Sequence, residues 1–117
     1  MTTQARLERA MDYYIKRKLH DVIFDDEGTF QKYAIDFLEL AGAVVIREAT
    51  ATKRGVADLL ACFNGRFIAL ELKDKDGVPS AQQLKFLEKI HEAGGSGMVC
   101  SSLYDIYHCL HAALRSI

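Results

Sequence analysis

The 117-residue chain has little of what marks a linker or an array. It holds one proline, Pro79, and shows no repeat and no low-complexity stretch. It is the size of one domain. No run approaches the ~18 apolar residues a membrane span needs, so a membrane role is not expected. The N-terminal segment MTTQARLERAMDYYIKRK lacks an uninterrupted apolar stretch and does not read as a signal peptide. Cysteines are few and odd in number: Cys62, Cys100 and Cys109. All three sit in apolar contexts, which predicts reduced core residues of an intracellular, cytoplasmic protein. No CxxC or His/Cys ligand spacing occurs, which argues against a structural zinc site. The net charge is −1, so the chain is not basic as a whole.

What is present is an ordinary globular composition, 50% hydrophobic and 26% charged, enough for a core without covalent staples. Helical spacing of Leu7, Ala10, Met11, Tyr14 and Ile15 predicts a helix over 3–19. Phe30, Ala34, Phe37, Leu38 and Ala41 predict a second over 28–41, ended by Gly42. AVVIR (43–47) reads as a strand by its β-branched content. The polar loop 48–55 leads to two further strands, ADLLACF and RFIALELK. A helix over 81–93 carries Leu84, Phe86, Leu87 and Ile90. A short strand (97–101) and a helix (103–115), capped by Ser102, complete the order ααβββαβα. The αβββαβ part is an α/β core, a mixed sheet flanked by helices, with an extra N-terminal helix added.

Charge is uneven along the chain. Arg6, Arg9, Lys16, Arg17 and Lys18 crowd the first helix, and Lys53 and Arg54 precede the central strands. Such local patches bind phosphates even when acids elsewhere cancel the total. A solvated helix face has the same pattern.

The central stretch GVADLLACFNGRFIALELK places Asp58, Glu71 and Lys73 inside its most apolar segment. Asn-Gly between two apolar runs is a strong two-residue hairpin signal. That loop pairs Phe63 with Arg66, Cys62 with Phe67, Leu59 with Leu70 and, one step on, Asp58 with Glu71. Directly opposed side chains lie roughly 4.5–5.5 Å apart at Cβ on one face. Lys73, two residues past Glu71, shares that face. Opposed like charges destabilise a sheet, so something must offset them. A divalent cation does so, because Mg²⁺ takes one or two carboxylates together with waters and phosphate oxygens. The Leu72 carbonyl is a further candidate oxygen, and Lys73 a candidate to orient or deprotonate a water. A lysine–carboxylate network, or a proton shared by Asp58 and Glu71, fits the same residues, and a bulge would shift the register.

An Asp followed by Glu-x-Lys on the next strand of a hairpin resembles the PD-(D/E)XK nuclease superfamily. The wider pattern resembles its VRR-NUC branch, the virus-type replication-repair nucleases. The matching features are Glu27, Arg54-Gly55-Val56-Ala57-Asp58, Asn64-Gly65, Glu71-Leu72-Lys73, Gln83 and Ala93-Gly94-Gly95, in order across about residues 27–102. Ala57 departs from the pattern, since many relatives have proline there. The resemblance implies a restriction-endonuclease-like fold, with an N-terminal helical extension (1–24) preceding a nuclease domain (25–117). It implies Mg²⁺ or Mn²⁺ held by Asp58, Glu71 and the Leu72 carbonyl. Glu27 would serve a second ion or a ligand water, Lys73 would place the attacking water, and Gln83 would orient water or phosphate.

The residues leave two of these assignments open. Glu27 lies on the buried stripe of its helix, yet also suits an acid at a helix N-terminus. Glu39 is its rival, set away from that stripe. Gln83 stands three residues after Ser80, which reads equally as a capping box, and Gln82 is its neighbour. Lys53, Arg54 and the basic face carrying Arg6, Arg9, Lys16 and Arg17 are candidates for flanking phosphates. Small stand-alone members of the branch are implied to form homodimers and to cut branched DNA such as four-way junctions, and the amphipathic N-terminal helix is a candidate dimer element. A non-catalytic nucleic-acid-binding accessory protein of the same fold, needing no metal, is the alternative. A small interaction protein in which the motif arises by chance is another. The four histidines are not needed by the site.

Overall fold

Helix α1 (Thr3–Lys16) begins at Thr2, whose Oγ1 accepts from the Ala5 amide at 3.0 Å. It stops three residues before the predicted end. Lys18 adopts a left-handed φ of 59°. The Lys18 amide then bonds the Ile15 carbonyl and the Leu19 amide bonds that of Tyr14, a Schellman termination built without glycine. This computed structural model describes residues 1–46 and 58–115. Lys53, Arg54 and the Gly55-Val56-Ala57 approach to Asp58 lie outside the described residues.

Helix α2 (Glu27–Leu40) is capped by Asp26, which accepts from both the amide and the hydroxyl of Thr29. Gly42, at φ 96°, closes it. Strand β1 (Val44–Ile46) pairs antiparallel with β2 (Leu59–Phe63), which pairs antiparallel with β3 (Arg66–Leu72). Asn64 and Gly65 both take positive φ, the signature of a type I′ turn. The register runs from Phe63–Arg66 to Leu59–Leu70, as the two-residue loop predicts. Helix α3 (Ala81–Glu92) returns the chain to β4 (Ser96–Cys100), which lies parallel to β3. Helix α4 (Leu103–Arg115) ends the described chain, with Ser102 Oγ accepting from the Asp105 amide. The sheet order β1-β2-β3-β4 is mixed and flanked by helices, the predicted α/β architecture.

The pleat divides the sheet's two faces. Leu59, Ala61 and Phe63 on β2 and Ile68, Leu70 and Leu72 on β3 join one core with α1, α2 and α4. Ala69 on the opposite face packs against Leu87 of α3. Strand β3 is thus buried on both sides, which explains its nearly continuous apolar run.

Three predicted core positions differ. Ile15 is exposed, because the α1 stripe needs only Leu7, Ala10, Met11 and Tyr14 against α2 and α4. Leu84 is exposed, since α3 buries Leu87 alone. Cys62 is exposed, on the face of β2 opposite to its three buried neighbours, while Cys100 and Cys109 are in the core. The apolar stripe of α1, which made it a candidate dimer element, packs within its own chain.

Candidate active site

The hydrogen-bonded ladder stops at Leu59–Leu70, one pair short of Asp58 and Glu71. The two carboxylates still meet. Asp58 Oδ2 accepts from the Leu72 amide at 2.7 Å, which fixes Asp58 across the end of the hairpin. Alternation along β3 sets Ala69, Glu71 and Lys73 on the face that α3 covers. Glu71 is fully buried there. Its Oε1 accepts from Gln83 Nε2 at 2.7 Å and pairs with Lys73 Nζ at 3.2 Å. Its Oε2 is buried with no hydrogen-bond partner.

Burial is the main reason the Glu71 carboxyl is pushed up to about 8; its contact with Asp58 and the charge there add to it, and Lys73 opposes. Near neutral pH the Glu71 carboxyl of the metal-free chain therefore keeps its proton. Lys73 responds in the opposite sense. Burial disfavours its charge, but the hydrogen bond to Glu71 and the charges of Glu71, Asp58 and Glu27 outweigh that and raise its pKa. It stays an ammonium ion.

Gln83 serves two structures at once. Ser80 Oγ accepts from the Gln83 amide, and Gln83 Oε1 accepts from the Ser80 amide at 2.8 Å, a complete capping box. With its oxygen used there, the side chain has its NH₂ left to donate to Glu71. The capping role and the site role are one arrangement. Gln82 is exposed.

Glu27, the first residue of α2, is raised in pKa by burial first and then by the Asp58 charge, with Lys73 lowering it. Its carboxylate therefore senses both residues from the layer opposite α3. Glu39 is exposed, near the other end of the same helix. Among the described residues no three His, Cys, Asp or Glu side chains gather as a metal-binding group, so Glu27 does not complete a three-carboxylate cage with Asp58 and Glu71.

The two-carboxylate donor set fits a hard divalent ion. Such an ion accepts one or two carboxylates, fills its remaining positions with water and substrate oxygens, and would give the unpartnered Glu71 Oε2 a partner.

Two supporting residues carry no motif signal. A Cβ on Gly77 would stand 3.0 Å from Lys73 Cδ and 3.1 Å from its Cβ, so the turn after β3 packs tightly along the lysine stem. Lys75 Nζ pairs with Asp25 at 3.3 Å, bridging that turn to the segment before α2.

No protein-family model matches the chain, and no curated protein is similar to it. A solved structure described as a VRR_NUC domain does match, with 28% sequence identity and a TM-score of 0.60. The match covers 73% of this chain and 94% of that one. Nearly all of that domain is therefore matched, and this chain shares the VRR-NUC fold.

Proposed function

We propose that this chain is a divalent-metal-dependent endonuclease that hydrolyses phosphodiester bonds in DNA. The observation that carries the reading is the half-buried Asp58 meeting the buried Glu71, with Lys73 beside them, at the end of one hairpin in a VRR-NUC fold. A surface that only binds a polyanion gains nothing from a cluster of carboxyl groups.

In this mechanism Asp58 and Glu71, with the Leu72 carbonyl, would hold Mg²⁺ or Mn²⁺, which would supply Lewis-acid polarisation of the scissile phosphate and charge stabilisation at the leaving oxygen. Gln83 ties down Glu71 Oε1 and leaves Oε2 as the free ligand oxygen. Lys73, kept positive by its acidic neighbours, orients the attacking water in line with phosphorus and offsets charge as it builds on the phosphate oxygens. A positively charged lysine is a poor base, so orientation and charge, not proton removal, are its role. Glu27, at the edge of the cluster, holds a water of the site or serves a second ion. Lys53 and Arg54 contact flanking phosphates. Selectivity for branched DNA such as four-way junctions, and action as a homodimer, extend the same proposal: two sites related by a two-fold axis suit paired cuts.

The test is cleavage of an end-labelled panel of four-way junction, flap, splayed arm and linear duplex, with Mg²⁺, Mn²⁺ or EDTA. Cuts that need metal and vanish in Asp58→Ala and Lys73→Ala are expected, with the branched substrates cut first. Wild-type protein that binds the panel without cutting it, and an Asp58→Ala variant that binds as well, would replace this reading with that of an accessory binder.

A further inference from the structure

The outer face of α1 frames a groove of about 740 Å³, closed on one side by Leu40 at the end of α2. Among the described residues Arg6, Arg9, Lys16 and Arg17 line it, against a single acid, Asp12. None of these four cations is ion-paired among the described residues. The groove thus carries a formal charge of +3 (four cations less one acid) in a chain of net −1, which leaves −4 for the rest. Unneutralised cations this close repel one another, and a multivalent anion relieves them.

The anion must have a flat part. Tyr13 is 43% exposed at the groove, and the Arg17 guanidinium carbon sits 3.4 Å from its ring centroid. Arg17 Nη1 is anchored on the Tyr13 carbonyl at 2.9 Å, which holds the guanidinium over the ring. Aromatic rings and guanidinium planes are the surfaces on which unpaired bases stack. From Arg6 to Arg17 the helix rises about 16 Å, on the scale of a few nucleotides of one strand.

We propose that this groove binds a short run of single-stranded nucleic acid, its phosphates on the four cations and a base stacked on the Tyr13–Arg17 pair. This rests on the nuclease reading, which makes nucleic acid the relevant anion. The groove is not part of the cutting site. It lies at the Leu40 end of α2, whereas Glu27 begins that helix, and 14 helical residues put about 20 Å between the two. A strand held here is therefore a second handhold on the substrate, beyond the nucleotides being cut.

Fluorescence anisotropy of a short labelled oligothymidylate in EDTA tests it, because binding is read where no metal is available for cutting. Wild-type protein should bind with a salt dependence that weakens by about 0.7 in log–log slope for each of Arg9→Ala and Arg17→Ala. Tyr13→Ala should lose about tenfold in affinity and Tyr13→Phe should recover it. Equal binding by wild type, Tyr13→Ala and Arg17→Ala, each shown folded by circular dichroism, would overturn the proposal. Absence of cleavage by any protein would sink the nuclease reading and leave this binding result standing.

Discussion

Glu71→Gln removes the proton-binding group at the centre of the site while keeping its shape. Glu71 is fully buried, and its pKa is raised from an ordinary 4.5 to about 8. Between those values the native chain holds a proton that the unfolded chain has released. Stability in metal-free buffer must therefore fall as pH rises through this window, by up to about 1.4 kcal/mol per pH unit. The fall begins above the unfolded value and levels off above the folded one. Over two pH units it amounts to about 3 kcal/mol, a large share of the 5–15 kcal/mol typical of a domain. Glutamine has the shape of the protonated acid and cannot ionise, so the variant lacks this contribution. Urea unfolding of both proteins in EDTA, from about pH 5 to 8, reads the difference directly. The variant should gain on the wild type steadily as pH rises. Added Mg²⁺ should reverse the order at high pH, because an ion that binds the ionised pair displaces the proton and stabilises only the wild type. Parallel curves in EDTA would mean that Glu71 is ionised throughout, and the account of its retained proton would be wrong.

Other expectations follow from the neighbours of the pair. Gln83→Ala removes half of the capping box and the Glu71 donor, and should cost about 1 kcal/mol or more, seen as a Tm lower by several degrees. Gln83→Glu preserves the cap's acceptor but sets a third carboxylate against Glu71, so it should cost activity more than stability and be rescued in part by higher Mg²⁺. Lys18→Gly relieves a left-handed lysine at the end of α1 and should raise stability by up to about 1 kcal/mol in the same urea assay. Gly77→Ala presses on the Lys73 stem and should lower the cleavage rate, with KM little changed. A rate equal to wild type would show that the turn does not set the lysine's position.

The hairpin was legible because one dipeptide sets its register, and the register in turn brings Asp58 to Glu71. The Leu72 amide bond to Asp58 was not, since no side-chain pattern encodes it. Gln83 looked like a choice between cap and site because a sequence shows one residue type, while an amide has both an acceptor and a donor to place. The end of α1 is hidden from the sequence because lysine, not glycine, takes the left-handed position. Cys62 looked like core because its segment is apolar throughout, yet alternation carries it away from the large core. The groove on α1 is visible in the sequence only as scattered basic residues; Leu40, 34 residues after Arg6, is what closes it.

The measurement that bears most directly on the central claim is an anomalous difference map from crystals of the wild-type protein soaked in Mn²⁺. The account predicts an ion within coordination distance of both Asp58 and Glu71, with Glu71 Oε2 as a ligand and Lys73 still beside Oε1. Crystals saturated with Mn²⁺ that show no ion between these carboxyl groups would contradict it.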